Sequence, residues 1–274
     1  MARTHMQGIR ARIAVAGAAA AVAATVWGVT TIVDPGHGTR HQNVSRQTDD
    51  PAGGGATDPQ APGDPGRKIP DGIAHASESG GNAVNITIDD GPDPKWTPKV
   101  LDVLRKYDVK ATFCMIGPQA QANPDLVKKV VAEGHRLCDH TMDHNTGMDK
   151  KPLDYQRRQV LDAKKLIEEA AGGGARVEYY RAPGGAFTPE SRALAAANGM
   201  RPLGWNIDTK DFSKPGVDAI VNTVKSEIGN GPTILFHDGG GDRTQSVQAL
   251  DEVLAWLKEQ GRPTGFPVVT GASS

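Results

Sequence analysis

Three observations predict an α/β fold of about seven parallel strands. Past Gly80, short apolar runs rich in β-branched residues alternate with segments of helical periodicity. The connections are long enough for the helical crossovers that parallel strands demand. Clusters of polar residues recur just after the apolar runs, where such folds gather their functional groups. A compact barrel and a doubly wound sheet both satisfy these observations, and the sequence shows no internal repeat.

The elements follow in order. Residues 82–88 (NAVNITI) read as the first strand, and residues 97–109 as a helix with Val100, Val103, Leu104 and Tyr107 on one face. Residues 110–116 (KATFCMI) are the second strand. The helix of 123–135 starts at Asn123 as N-cap with Pro124 behind it, and stops at Gly134. Residues 135–139 (HRLCD) make the third strand, a helix lies within 153–171, and 177–181 (VEYYR) is the fourth strand. A capped helix at 188–199 leads into a fifth strand at 200–207 (MRPLGWNI). The helix of 217–228, the strand of 232–238 (PTILFHD) and the amphipathic helix of 246–261 follow, and 265–270 (GFPVVT) closes the domain.

The first eighty residues have a different texture. Arg3, Arg10 and Arg12 form a basic segment, 1–12, ahead of an uncharged Ala-rich run from Ile13 to Val33. Basic residues before an apolar run mark an export signal, and roughly 20 residues also suffice to span a bilayer. Residues 13–33 are therefore expected to be a signal peptide or, preferably, a membrane anchor that leaves everything after Asp34 outside. Residues 34–80 are rich in Pro, Gly, Asp, Ser and Thr without apolar periodicity, so a disordered linker is expected. The domain is expected over 81–274.

Net charge is −1 with both signs interspersed, which excludes a bulk nucleic-acid binder. A monomer is expected.

Chemistry concentrates in five clusters: DDGP after the first strand, DHTMDH after the third, RAPGG after the fourth, DTKDF after the fifth and HDGGG after the sixth. Two adjacent carboxylates, Asp89 and Asp90, repel unless a cation lies near. His140 and His144 are four apart, which on a helical turn puts both imidazoles on one face, about 5–6 Å apart. Two His and one Asp leave positions open for water and substrate, as catalytic metal sites do. Other readings fail on spacing. A calcium loop from Asp89 would need Gly and Glu where Pro94 and Val100 stand. Thr141 replaces the Glu of a metalloprotease helix, HDGGGDR lacks the Lys-Ser or Lys-Thr of a nucleotide loop, and no Ser sits in a nucleophile elbow.

In this order, TIDDGP, HTMDH, RAPGG, DTKDF and ILFHD resemble the five motifs of the polysaccharide deacetylases, the NodB-homology domain of carbohydrate esterase family 4. The resemblance covers roughly residues 82–270. It implies a distorted (β/α) barrel, removal of N-acetyl groups from sugars, and a divalent metal, commonly zinc, with cobalt or another divalent ion as alternatives. By that resemblance Asp90, His140 and His144 hold the metal and Asp89 is the catalytic base, paired with Arg181. His237 is the general acid with Asp211 behind it. The Gly184 N–H is the oxyanion donor, and Phe212 and Leu235 line the acetyl-methyl pocket. The chain departs from the family's usual pattern at three places: Ile88 where Phe is usual, Phe212 where Trp is usual and Gly184 where Tyr is frequent.

Cys114 and Cys138 are the only cysteines and fall on the second and third strands, where matching registers would let them bridge. Buried free thiols are the alternative. The expected substrate is peptidoglycan N-acetylglucosamine or chito-oligosaccharide. The alternatives are acetylxylan, as an O-acetyl esterase, and an inactive metal-bound sugar-binding module.

Overall fold

The computed structural model describes residues 68–271. The expectations for 1–12, 13–33 and the first part of the linker lie outside the described residues. Among the described residues no helix is long and apolar enough to cross a membrane.

Strands β1 (Val84–Asp89), β2 (Thr112–Met115), β3 (Arg136–Asp139), β4 (Val177–Tyr180), β5 (Arg201–Pro202), β6 (Ile207–Asp208) and β7 (Thr233–His237) form one sheet in the order β5-β4-β3-β2-β1-β7-β6, with β8 (Thr264–Gly265) pairing the start of β1. All the strand pairings are parallel. Helices α1 (Thr97–Lys106), α2 (Gly117–Ala122), α3 (Pro124–Ala132), α4 (Leu153–Ala171), α5 (Pro189–Ala197), α6 (Val217–Glu227) and α7 (Thr244–Glu259) make the connections. The helix faces that the periodicity marks are the ones that pack. In α1, Val100, Leu101 and Leu104 are buried, with Val103 and Tyr107 half-buried beside them. In α7, Ala249, Leu250, Val253, Leu254 and Leu257 are buried. Central strands such as β1 and β7 are buried along their whole length, as expected of parallel strands covered on both faces.

The fifth strand of the sequence reading is corrected. Residues 200–207 form two dipeptide strands, β5 and β6, on opposite edges of the sheet. This split dictates the curvature. Seven flat strands about 4.8 Å apart would separate the edges by about 29 Å. The chain from Pro202 to Ile207 reaches at most roughly 17 Å. The edges must therefore approach one another, and the sheet curls into an incomplete barrel.

The linker boundary is corrected as well. Residues 68–80 belong to the domain rather than to a disordered spacer. Ala74 is fully buried and pairs in parallel with Leu203, with Ala74 N–H donating to Pro202 O at 2.8 Å and Gly204 N–H to Ala74 O at 2.9 Å. On the other side, Thr233 Oγ1 donates to His75 O at 2.7 Å and Asn85 Nδ2 to Ala76 O at 3.3 Å. This segment is held between β5 on one side and β7 and β1 on the other through its own backbone groups, which require no apolar pattern. A cavity of about 690 Å³ lined by His75, Trp205, Asn206 and Asn230 opens beside it, near the N-terminal ends of β1 and β7. The polar clusters lie at the opposite ends of the strands.

Smaller differences have local causes. Helix α2 has no apolar periodicity to announce it. Asn123 precedes α3 as expected, but its side chain donates to Gln119 O and Pro92 O instead of capping the helix. Thr188 does cap α5, in a reciprocal box with Ser191. Cys114 and Cys138 are register partners on β2 and β3 and are joined by a disulfide.

Candidate active site

Asp89 ends β1 and pairs in register with His237, which ends β7. Adjacent parallel strands thus deliver a carboxylate and an imidazole to the same level of the same rim. Alternation along a strand would turn the next residue away. Asp90 instead has φ of 78°, a left-handed conformation that Asp tolerates better than most residues, so β1 ends there and the two carboxylates stay together.

Asp89 is buried. Its Oδ1 accepts from Arg181 Nη1 at 2.6 Å, and the fully buried Arg181 also donates to Thr87 Oγ1, Leu203 O and Gly204 O. Each of these contacts fixes the guanidinium plane, so the pair is rigid. Such a pair is expensive to desolvate and is retained where orientation of the carboxylate matters.

The two histidines come together, but not on a helix. Residues 140–147 form a loop in which Thr141 and His144 take φ of 71° and 53°. A β-branched residue at positive φ is strained, and the surroundings hold it there. Asp139 Oδ1 accepts from Thr141 N–H at 2.7 Å, and Gln159 Oε1 accepts from the Met142 and Asp143 amides. The rings stand edge to face, 5.0 Å apart. His140 Nδ1 lies 2.7 Å from Arg181 O, a contact that makes Nδ1 the donor and leaves the Nε2 lone pair free. His140 Nε2 is 3.5 Å and His144 Nε2 3.1 Å from Asp90 Oδ1.

The residues present fit a divalent cation. The ligand atoms of Asp90, His140 and His144 lie within 4.8 Å of one another, and Asp90 Oδ1 faces the Nε2 atoms of both rings. Burial opposes charge on Asp90, but the hydrogen bond from His144 and the surrounding imidazoles hold its carboxyl well below the usual range. Burial also depresses the pKa of His140 and so favours the neutral ring. His144 is raised by its hydrogen bond to Asp90.

Across the rim, Asp211 Oδ1 lies 2.6 Å from His237 Nδ1 while its Oδ2 accepts from His237 N–H at 3.0 Å. Burial disfavours a charged His237, but the Asp211 bond and the nearby carboxylates outweigh it and raise its pKa. The Phe212 ring stands edge to face on His237 at 5.3 Å and is 48% exposed, forming an open wall. Leu235, two residues before His237 on β7, is buried. Gly184 has φ of 59° in the turn Pro183–Gly185, where a Cβ would press against the Thr146 side chain. The frequent Tyr of the family pattern would have to displace Thr146 or change the turn.

Two residues were overlooked in the sequence. They are Asp238, the last residue of ILFHD, and Thr97, the first residue of α1. Asp238 is fully buried and accepts a hydrogen bond from Thr97 Oγ1 at 2.5 Å. Burial pushes its carboxyl up to about 7, with Asp89, Asp90 and Asp93 adding to the shift against the Thr97 bond. A carboxylate placed directly after a rim histidine was the signal available.

A carboxylate paired with arginine, an imidazole backed by aspartate and an Asp-His-His cluster that could hold a cation, gathered at one rim of a curled parallel sheet, suit a (β/α)-barrel hydrolase. Comparison with known proteins narrows this class. The family model of polysaccharide deacetylases matches residues 76–203. A peptidoglycan-N-acetylglucosamine deacetylase of Bacillus cereus is 42% identical over 184 residues, covering 65% of this chain and 83% of the relative. A chitooligosaccharide deacetylase of Sinorhizobium fredii is 37% identical over 195 residues, covering 68% of this chain and 90% of the relative. The crystal structure of a peptidoglycan N-acetylglucosamine deacetylase in complex with 4-naphthalen-1-yl-N-oxidanyl-benzamide matches with TM-score 0.66 at 31% identity, covering 71% of this chain and 90% of that one. The chain belongs to the polysaccharide deacetylase family.

Proposed function

We propose that this deacetylase hydrolyses the N-acetyl groups of N-acetylglucosamine in peptidoglycan, outside the membrane, with zinc held by Asp90, His140 and His144. The observation that carries the reading is the pairing of Asp89 with His237 across β1 and β7, with the cation cluster beside them. One carboxylate and two imidazoles suit zinc, and cobalt would fit the same donors. When bound, such an ion supplies Lewis acidity to the water and the acetyl carbonyl.

The chain's own groups do the rest. Asp89, held by Arg181, takes a proton from the attacking water as its oxygen bonds to the acetyl carbon. The Gly184 N–H donates to the oxygen on which charge develops. His237 gives its proton to the nitrogen as the carbon–nitrogen bond breaks, releasing acetate and a free amine. Asp211 holds that imidazole in the donating orientation. Phe212 and Leu235 flank the acetyl methyl.

The cell-wall substrate is supported by the B. cereus relative's name and by the basic and apolar pattern of residues 1–33, which as an anchor would hold the domain beside the wall. The disulfide suits an oxidising, exported setting. Acetate release from peptidoglycan, chito-oligosaccharides and acetylxylan, measured side by side, tests the reading. Release from the two N-acetylated substrates, fastest on peptidoglycan, is expected. Release from acetylxylan alone would identify an O-acetyl esterase.

A further inference from the structure

We infer that Asp238 and Thr97 are a positioning pair that clamps the turn Asp89–Asp93 to the end of β7, holding the base, a cation ligand and the proton donor in one frame. The inference rests on the proposed roles of Asp89, Asp90 and His237.

The rim has a mechanical problem at this point. The β1–β7 ladder ends at Asp89 and His237. Asp90 leaves the strand at positive φ and keeps backbone bonds on the β2 side alone, its N–H donating to Cys114 O at 3.1 Å and Gly91 O accepting from Ile116 N–H at 3.0 Å. Asp238 supplies the restraint on the β7 side. Its N–H donates to Asp89 O at 3.0 Å, continuing the ladder by one bond. Its Oδ1, without a hydrogen-bond partner, lies so close to Gly91 that a Cβ there would overlap it. Its Oδ2 accepts from Thr97 Oγ1 at 2.5 Å. The Thr97 hydroxyl in turn accepts from Asp93 N–H at 2.7 Å, and Thr97 N–H donates to Asp93 O at 3.0 Å. A chain of bonds therefore runs from β7 through Asp238 and Thr97 to Asp93, enclosing Gly91 and Pro92. The next residue, Gly239, packs so closely on Asp90 O that it too has no room for a side chain.

A carboxyl group at this place is costly. Asp238 is fully buried in the field of Asp89, Asp90 and Asp93, where stability alone would favour an uncharged residue. Groups that hold ligands in orientation are often retained at such cost, and their loss typically lowers metal affinity or activity by about 10–100-fold. A misplacement of about 1 Å in a reacting group costs about 10²-fold in rate.

The test is a double-variant cycle. Asp238→Asn, Asp238→Ala and Thr97→Val are each expected to lower kcat about 10- to 100-fold with KM changed by less than about 3-fold. Thr97→Ser keeps the hydroxyl and should restore near-native turnover. Because one bond joins the pair, Asp238→Ala combined with Thr97→Val should lose little more than either alone. Zinc affinity, measured with zinc alone against a chromophoric chelator, should fall in parallel. That readout needs no sugar, so it succeeds or fails independently of the substrate reading. Circular dichroism establishes folding, and Thr97→Val, nearly isosteric, carries the test if Asp238→Ala does not fold. Native kcat and zinc affinity in folded Thr97→Val and Asp238→Asn would overturn the inference, as would losses that multiply in the double variant.

Discussion

Replacing Asp89 by Asn is expected to leave the cation in place and to lower turnover by about 10²–10⁴-fold, the usual contribution of a positioned general base. Asn preserves the shape of the side chain and an acceptor oxygen for Arg181 Nη1, now 2.6 Å away. It removes the negative charge and the ability to take a proton from water. The cluster of Asp90, His140 and His144 keeps its ligand atoms. Elemental analysis together with acetate-release kinetics checks the outcome. Turnover near the native rate would require another base, and loss of the cation would make Asp89 a ligand. Its Oδ2, 3.5 Å from His140 Nε2, is near enough for that outcome to be informative.

Removing His237 should damage amide hydrolysis by about 10²–10⁴-fold and ester hydrolysis far less. An amine leaves poorly without a proton, whereas an alkoxide leaves more readily. As a general acid His237 would act in its protonated form, so activity is expected to fall as pH rises through its raised pKa. Asp211→Asn removes the buried negative partner 2.6 Å away and should move that alkaline limb to lower pH. A bound cation pulls the same pKa down, so the two proteins are compared in one metal form. Equal losses of His237→Ala on an N-acetyl and an O-acetyl substrate would show that the ring positions the acetyl group instead of donating a proton.

The chemistry of this rim was more legible in the sequence than its geometry. Buried parallel strands announce themselves as apolar runs, and the clusters that follow them carry Asp89, Asp90, His140, Arg181, Asp211 and His237. What stayed hidden depends on backbone path. Strands β5 and β6 are dipeptides, too short for any alternation, and their place on opposite edges is a property of the whole sheet. Residues 68–80 join the domain through main-chain bonds, such as Ala74 N–H to Pro202 O, that leave no mark on side-chain pattern. The four-residue spacing of His140 and His144 suggested a helical turn. The structure brings the rings together through a strained loop, with Gln159 of α4 bonding its amides. The place of Asp238 stayed hidden too, because its partner Thr97 lies far away in sequence.

The most direct measurement is acetate release from an N-acetylated chito-oligosaccharide as the cation is removed and returned. After chelation, activity should vanish while the fold persists. About one equivalent of zinc should restore it, as expected for a single three-ligand site. Asp90→Ala and His140→Ala should neither retain zinc nor recover activity, because each lacks a donor of the cluster. Full acetate release by the metal-free protein, or by either variant, would contradict a cation-dependent deacetylase built on Asp90, His140 and His144.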